Sequence, residues 1–157
     1  MKKPRTEYIK KETYEINTIL PFIKQSFHSN SVNKIVLDKD NIKINSIRLK
    51  TFYKNQKCVQ CGIESKFFRK EKGLCDKSYH LNLYAIDEKG NEVLMTKDHI
   101  IPKSKGGSDK LKNLQTMCYN CNQQKSNSIK IQYNIKFLKL YFESLFIKRR
   151  IKYGIFS

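Results

Sequence analysis

The chain has 157 residues, 39% of them hydrophobic and 29% charged, and its 32 Lys and Arg against 14 Asp and Glu give a formal net charge of +18. That length and apolar content allow one domain with a modest core and terminal extensions. A charge this large repels itself unless a polyanion is present, which points to nucleic acid or an acidic membrane surface; the bland alternative is a lysine-rich composition with no ligand behind it.

From Met1 to about Asn30, Tyr8, Ile9, Tyr14, Ile16, Ile19, Leu20 and Phe22 recur at mixed three- and four-residue steps between lysines. This spacing predicts a helix, with a break or kink at Pro21. Asp38-Lys39-Asp40-Asn41 is a turn-like cluster between Val36-Leu37 and Ile42, Ile44 and Ile47, consistent with a short hairpin or with a loop leading into a helix. Ile47, Leu49, Phe52 and Tyr53 then form an apolar face running up to Cys58.

Cys58-Val59-Gln60-Cys61-Gly62 has the form of a zinc knuckle: two thiolates on a tight turn, with a glycine free to take positive φ. Phe67 and Phe68, followed by Arg69, Lys70 and Lys72, read as an extended basic loop in which Arg69 and Lys70 contact nucleic acid. Two alternating stretches come next, His80 to Ile86 and Glu92 to Thr96, joined by an Asp87–Asn91 turn that supplies the Gly and Asn of a hairpin. Leu81, Leu83 and Ala85 share one face of the first strand, and the second runs straight into Asp98-His99.

After Pro102, residues Lys103 to Ser108 form a flexible basic loop containing Gly106-Gly107. Leu111 and Leu114 flank Asn113, and a helix is expected to open around Asn120 to Asn122. Ile131, Ile135, Leu138, Phe142 and Leu145 step by four and three, which predicts a C-terminal helix with an apolar stripe and basic outer faces. No run approaches the roughly 18 apolar residues of a membrane span, and no secretory signal follows Met1-Lys2-Lys3-Pro4. A cytoplasmic location and no membrane partner are therefore expected. In a reducing compartment CxxC pairs bind metal or do redox chemistry and seldom form disulfides.

The pairs Cys58/Cys61 and Cys118/Cys121 match a closed, tetrahedral, structural Zn²⁺ site. With 56 residues between them, such a metal closes a long loop and staples a small core. A thioredoxin-like redox reading fits poorly, since there are two pairs and neither opens a helix in a βαβ pattern. Cys75 is left over as an unligated thiol, His80 reads as structural, and His28 has no motif around it.

Asp98-His99-Ile100-Ile101-Pro102, Gly106-Gly107, Asn113-Leu114, Cys118-Tyr119-Asn120-Cys121-Asn122 and Lys125 follow one another over a short span, with Cys58/Cys61 upstream. In order and approximate spacing this resembles the HNH nuclease family, in the subgroup held by a four-cysteine zinc. The resemblance covers about Cys58 to Ser126, and the family's final His is Asn122 here.

The resemblance implies an α+β fold: a small ββα-metal core, a β-hairpin plus helix, stapled by the zinc and flanked by helical basic segments. It divides the chain into a basic N-terminal extension (1–50), a zinc-bound nuclease domain (51–128) and a basic amphipathic helix (129–157). It implies His99 as general base, with Asp98 and Asn122 as ligands of a catalytic cation and Asn113 orienting His99. Lys103, Lys105 and Lys125 would contact phosphate. Oxygen-only ligands suit Mg²⁺ or Mn²⁺, with zinc confined to the cysteines.

The activity expected is metal-dependent hydrolysis of DNA phosphodiesters, nicking double-stranded DNA as a monomer, of phage or mobile-element type. The competing reading is a non-catalytic zinc-ribbon protein that grips nucleic acid by charge alone. It accounts for the cysteines and the +18 but not for Asp98, His99, Asn113 and Asn122.

Overall fold

The computed structural model describes residues 8–28, 33–126 and 139–140. The chain divides into two compact units, Met1–Cys121 and Asn122–Ser157. The first is built on a five-stranded antiparallel sheet in the order β1-β4-β5-β6-β7: β1 (Tyr8–Glu15), β4 (Ser65–Gly73), β5 (His80–Ile86), β6 (Glu92–His99) and β7 (Leu114–Cys118). Helix α1 (Ile16–His28), a hairpin of β2 (Lys34–Leu37) and β3 (Asp40–Lys43), and helix α2 (Ile47–Lys54) complete it. Residues 119–126 are helical and form α3. Among the described residues no helix is long and apolar enough to cross a membrane. The expected C-terminal helix over 129–157 lies almost wholly outside the described residues.

The predicted N-terminal helix is confined to α1. Residues 8–15 are instead a strand pairing antiparallel with β4, from Tyr8 opposite Gly73 to Glu15 opposite Phe67. Pro21 sits inside α1 without ending it. Pro21 and Asn17, whose carbonyl loses its usual donor there, are both exposed, so water can take the missing partner's place.

The Asp38–Lys39 turn closes the β2–β3 hairpin, with both residues at positive φ (46° and 72°). A two-residue loop with both residues left-handed matches the right-handed twist of the strands. Ser46 caps α2 by accepting from the Leu49 amide at 3.3 Å.

The core gathers Ile19 and Ile23 from α1, Ile42 from β3, Leu49 and Phe52 from α2, and Phe68, Leu81, Leu83, Ala85, Met95 and Met117 from the sheet. Leu81, Leu83 and Ala85 are fully buried on one face of β5, as the alternation predicted.

The segment expected to be a basic loop is strand β4, and its charges point inward. Lys70 is 1% exposed and meets Glu12 at 3.0 Å, Asp40 at 3.1 Å and Asp38 at 3.3 Å. On the other face Glu71, fully buried, accepts from Asn82 and from the Tyr84 hydroxyl at 2.9 Å. These buried charges are each satisfied by partners from β1, the β2–β3 hairpin and β5.

Arg69 makes a two-pronged contact with Glu92 at 2.5 Å per arm, stacked over Phe67 and Tyr84, and Lys10 reaches Glu92 at 3.2 Å. The Arg69 bonds hold the Glu92 carboxyl down at about 2, against an ordinary 4.5. A folded-state pKa below the unfolded one contributes stability above the unfolded value, lost as pH falls through the folded one. Glu92 is 34% exposed, so screening limits its share to about 1 kcal/mol. Glu92→Gln is expected to flatten the loss of stability between pH 4.5 and 2, measured by urea unfolding at stepped pH; an unchanged acid limb would contradict this.

Candidate active site and metal centre

Strands β6 and β7 form a ladder with a cysteine cluster at one end and His99 at the other. Met95 lies opposite Cys118, and His99 opposite Leu114. Four residue steps, about 13 Å of strand, separate the two ends.

At the cysteine end, the Sγ atoms of Cys58, Cys61, Cys118 and Cys121 lie within 4.8 Å of one another, with Cys61 and Cys118 3.8 Å apart. Four sulfurs at about 2.3 Å from a zinc ion stand about 3.8 Å apart, so the spacing fits a tetrahedral ion. The first pair sits on a turn where the Gly62 amide donates to the Cys58 carbonyl at 2.9 Å, with Gly62 at φ 77°. The Val59 amide donates to the Thr116 carbonyl at 3.1 Å, tying that turn to β7.

The electrostatics of the cluster suit a cation. Burial, and then the neighbouring thiols, push Cys121 well above the ordinary range. Burial likewise raises Cys58, but the backbone N–H groups of Cys61, Cys118 and Gln60 outweigh it and bring it to about 7. Only a bound cation lets all four sulfurs ionise together. The cluster can therefore hold a metal ion such as zinc. Cys75 is exposed and stands apart from it.

At the other end, Asp98 and His99 project to opposite sides of β6. Asp98 is 9% exposed and accepts from Gln115 Nε2 at 2.7 Å. His99 Nε2 lies 2.8 Å from Asp109 Oδ1, whose other oxygen meets Lys103 Nζ at 2.7 Å. Lys103, and then His99, hold the Asp109 carboxyl well below the ordinary range, at about 2.

Asn113 organises the intervening loop. Its Oδ1 accepts from the Ile101 amide at 2.9 Å, and its Nδ2 donates to the carbonyls of Ile101 and Ser108 at 3.1 and 2.9 Å. Its backbone carbonyl accepts from the Ile100 amide at 2.9 Å. Asn113 thus grips the two residues after His99, while Asp109 meets the ring at Nε2.

Gly107 passes so close to this clamp that a Cβ would fall 1.8 Å from the Ile101 carbonyl oxygen and 2.9 Å from Asn113 Nδ2. Gly107→Ala must shift the loop and is expected to cost about 1–3 kcal/mol. It should also speed exchange of the Ile101 amide. Melting and amide exchange matching the unsubstituted protein would contradict the clamp.

The structure brings Asp98, His99, Asn113 and Lys103 together at one end of the ladder and the four cysteines together at the other. Lys105 is exposed on the same loop. Asn122 and Lys125 lie on α3 and belong to the second unit. Arg69 and Lys70, expected to contact nucleic acid, sit in β4 with their charges bound to carboxylates. Asp109 escaped the sequence reading. The available signal was an acid in the otherwise basic loop between His99 and Asn113.

The mixed α+β core carries an acid-histidine pair at the end of one strand and, at the end of its neighbour, a cysteine cluster that could hold a metal ion. A family model described as HNH endonuclease matches residues 87–138. No curated protein and no solved structure matches the chain. The matched stretch takes in β6, the clamped loop, β7 and the second cysteine pair; the first pair lies outside it. The family implies nuclease-type activity on a nucleic-acid substrate.

Proposed function

We propose that the protein is a metal-dependent DNA endonuclease that hydrolyses phosphodiester bonds, each copy nicking one strand of a duplex. The observation that carries this reading is His99 at the end of β6, beside Asp98 and above the Asn113 clamp, within the stretch matched to HNH endonucleases. His99 is the general base: a neutral imidazole takes the proton of the attacking water near neutral pH. Asn113 fixes the backbone on which that ring is mounted.

Asp98 and Asn122 would hold the catalytic cation. A carboxylate and an amide oxygen are hard donors that suit Mg²⁺ or Mn²⁺. When bound, that ion supplies charge neutralisation at the phosphate and the leaving oxygen. Zinc occupies the four cysteines and takes no part in the chemistry.

Lys103, Lys105 and Lys125 contact phosphates. Lys70, with 1% exposure, and Arg69, held by Glu92, are left out of that set. The net charge of +18 supports DNA as substrate, with affinity that falls as salt rises. Action in the cytoplasm of a host, as a phage or mobile-element nuclease, fits the small basic chain.

The test is incubation with supercoiled plasmid under Mg²⁺, Mn²⁺, Zn²⁺ or EDTA. Open-circular product bearing a 5′-phosphate at the nick, with Mg²⁺ or Mn²⁺ and not with EDTA, is expected. Strong cleavage with Zn²⁺ alone would overturn the assignment of the catalytic ion, and direct linearisation would replace the monomer with a dimer.

A further inference from the structure

We infer that Asp109 is a positioning residue for His99, fixing the imidazole in the tautomer that acts as base; this rests on the reading of His99 as the general base. Asp109 has both oxygens engaged, one with His99 Nε2 at 2.8 Å and one with Lys103 Nζ at 2.7 Å. Its place in the loop is set from both sides. The Ser108 carbonyl just before it accepts from Asn113 Nδ2 at 2.9 Å, and Lys103 opens the 3₁₀ turn that ends at Gly106.

An ionised carboxylate only accepts hydrogen bonds, so a neutral His99 facing it must carry its proton on Nε2. The lone pair then resides on Nδ1. A water attacking phosphorus gives its proton to Nδ1 as the new O–P bond forms and the P–O bond to the leaving oxygen breaks. The leaving oxygen is protonated from solvent. The imidazolium left on His99 keeps its Nε2–H on Asp109 Oδ1, so the ring holds its orientation through the proton transfer.

The role differs from a simple loop tie in a measurable way. If Asp109 only restrained Lys103, removing it would free a cation for phosphate, lowering KM for DNA and leaving kcat intact. As a positioning residue its loss lowers kcat without raising KM.

The experiment uses the full chain with zinc bound and compares Asp109→Ala, Asp109→Asn, His99→Ala and the double substitution on supercoiled plasmid with Mg²⁺. Long-range ¹⁵N–¹H spectra of the His99 ring accompany the kinetics. The expected results are an Nε2–H tautomer in the unsubstituted protein and a mixed population in Asp109→Ala. With them should come a fall in kcat of about 10- to 100-fold with KM equal or lower, and no further loss on adding Asp109→Ala to His99→Ala. An Nδ1–H tautomer in the unsubstituted protein overturns the inference. So does a kcat for Asp109→Ala within twofold of the unsubstituted value while His99→Ala is inactive. Full cleavage by His99→Ala would instead remove the general-base reading, and the ring spectra would still report whether Asp109 sets the tautomer.

Discussion

Stripping the metal from the four cysteines is expected to unfold the unit Met1–Cys121. The cysteines are few, but they sit where the fold is joined. Cys58 and Cys118 are 2% and 3% exposed and form part of the same core cluster as Phe52, Phe68 and Met117. Through the Val59–Thr116 bond, and through Thr116 Oγ1 donating to the Asn55 carbonyl at 2.6 Å, the knuckle joins the end of α2 to β7.

A structural zinc site contributes on the order of 10–16 kcal/mol of binding free energy. A domain of this size is stable by only about 5–15 kcal/mol, so losing the ion removes most or all of that margin. Cys118→Ser should therefore give a chain without a cooperative melt and with less than one zinc per molecule. Cys75→Ser, at an exposed thiol outside the cluster, should melt like the unsubstituted protein. Metal analysis together with thermal melting by circular dichroism decides it. A Cys118→Ser protein that melts within a few degrees of the original would show that no metal braces the fold.

His99→Ala is expected to lower cleavage by about 10²–10⁴-fold, the usual contribution of a general base. DNA affinity should change by less than about threefold. The side chain sits at a strand end, outside the hydrophobic core cluster, so its removal takes no contact from that core. The backbone at position 99 stays in register with Leu114, and Ile100 and Ile101 remain gripped by Asn113. A loss of activity without loss of melting temperature or binding would therefore be chemical in origin. If binding and melting fell together with cleavage, His99 would be acting as a structural residue.

What the sequence made legible was chemistry held by short spacings. The two CxxC pairs and the Asp87–Asn91 turn each carry their meaning within a few residues, and the run from Asp98 to Asn122 within one short stretch of chain. What stayed hidden depended on partners far away in the chain. The spacing of Tyr8, Ile9 and Tyr14 suits a helix, yet β1 forms because β4, more than 50 residues on, offers it an edge to pair with.

Lys70 read as a nucleic-acid contact in a basic loop, and its neighbour Glu71 carried no signal of its own. They are buried because Glu12, Asp38, Asp40, Asn82 and Tyr84 converge on them from other strands. The Asp38–Lys39 hairpin lacked the usual glycine signal. Its left-handed Asp38 accepts from both the Tyr14 hydroxyl and Lys70 Nζ, contacts that no local pattern announces. Asp109 was missed for the same reason. Its importance lies in facing His99 across a loop whose path is set by Gly107 and Asn113.

The central claim, that this is a nuclease with His99 as its base, is tested most directly by one comparison. The unsubstituted protein and His99→Ala, each with its zinc and at equal DNA occupancy, are incubated with supercoiled plasmid and Mg²⁺, and the rate of strand nicking is measured. The account predicts steady conversion to open-circular DNA by the unsubstituted protein, none with EDTA, and a rate for His99→Ala lower by at least about 100-fold. Tight, salt-sensitive binding by both proteins with no nicking under Mg²⁺ or Mn²⁺ would contradict it and identify a zinc-stapled nucleic-acid binder instead.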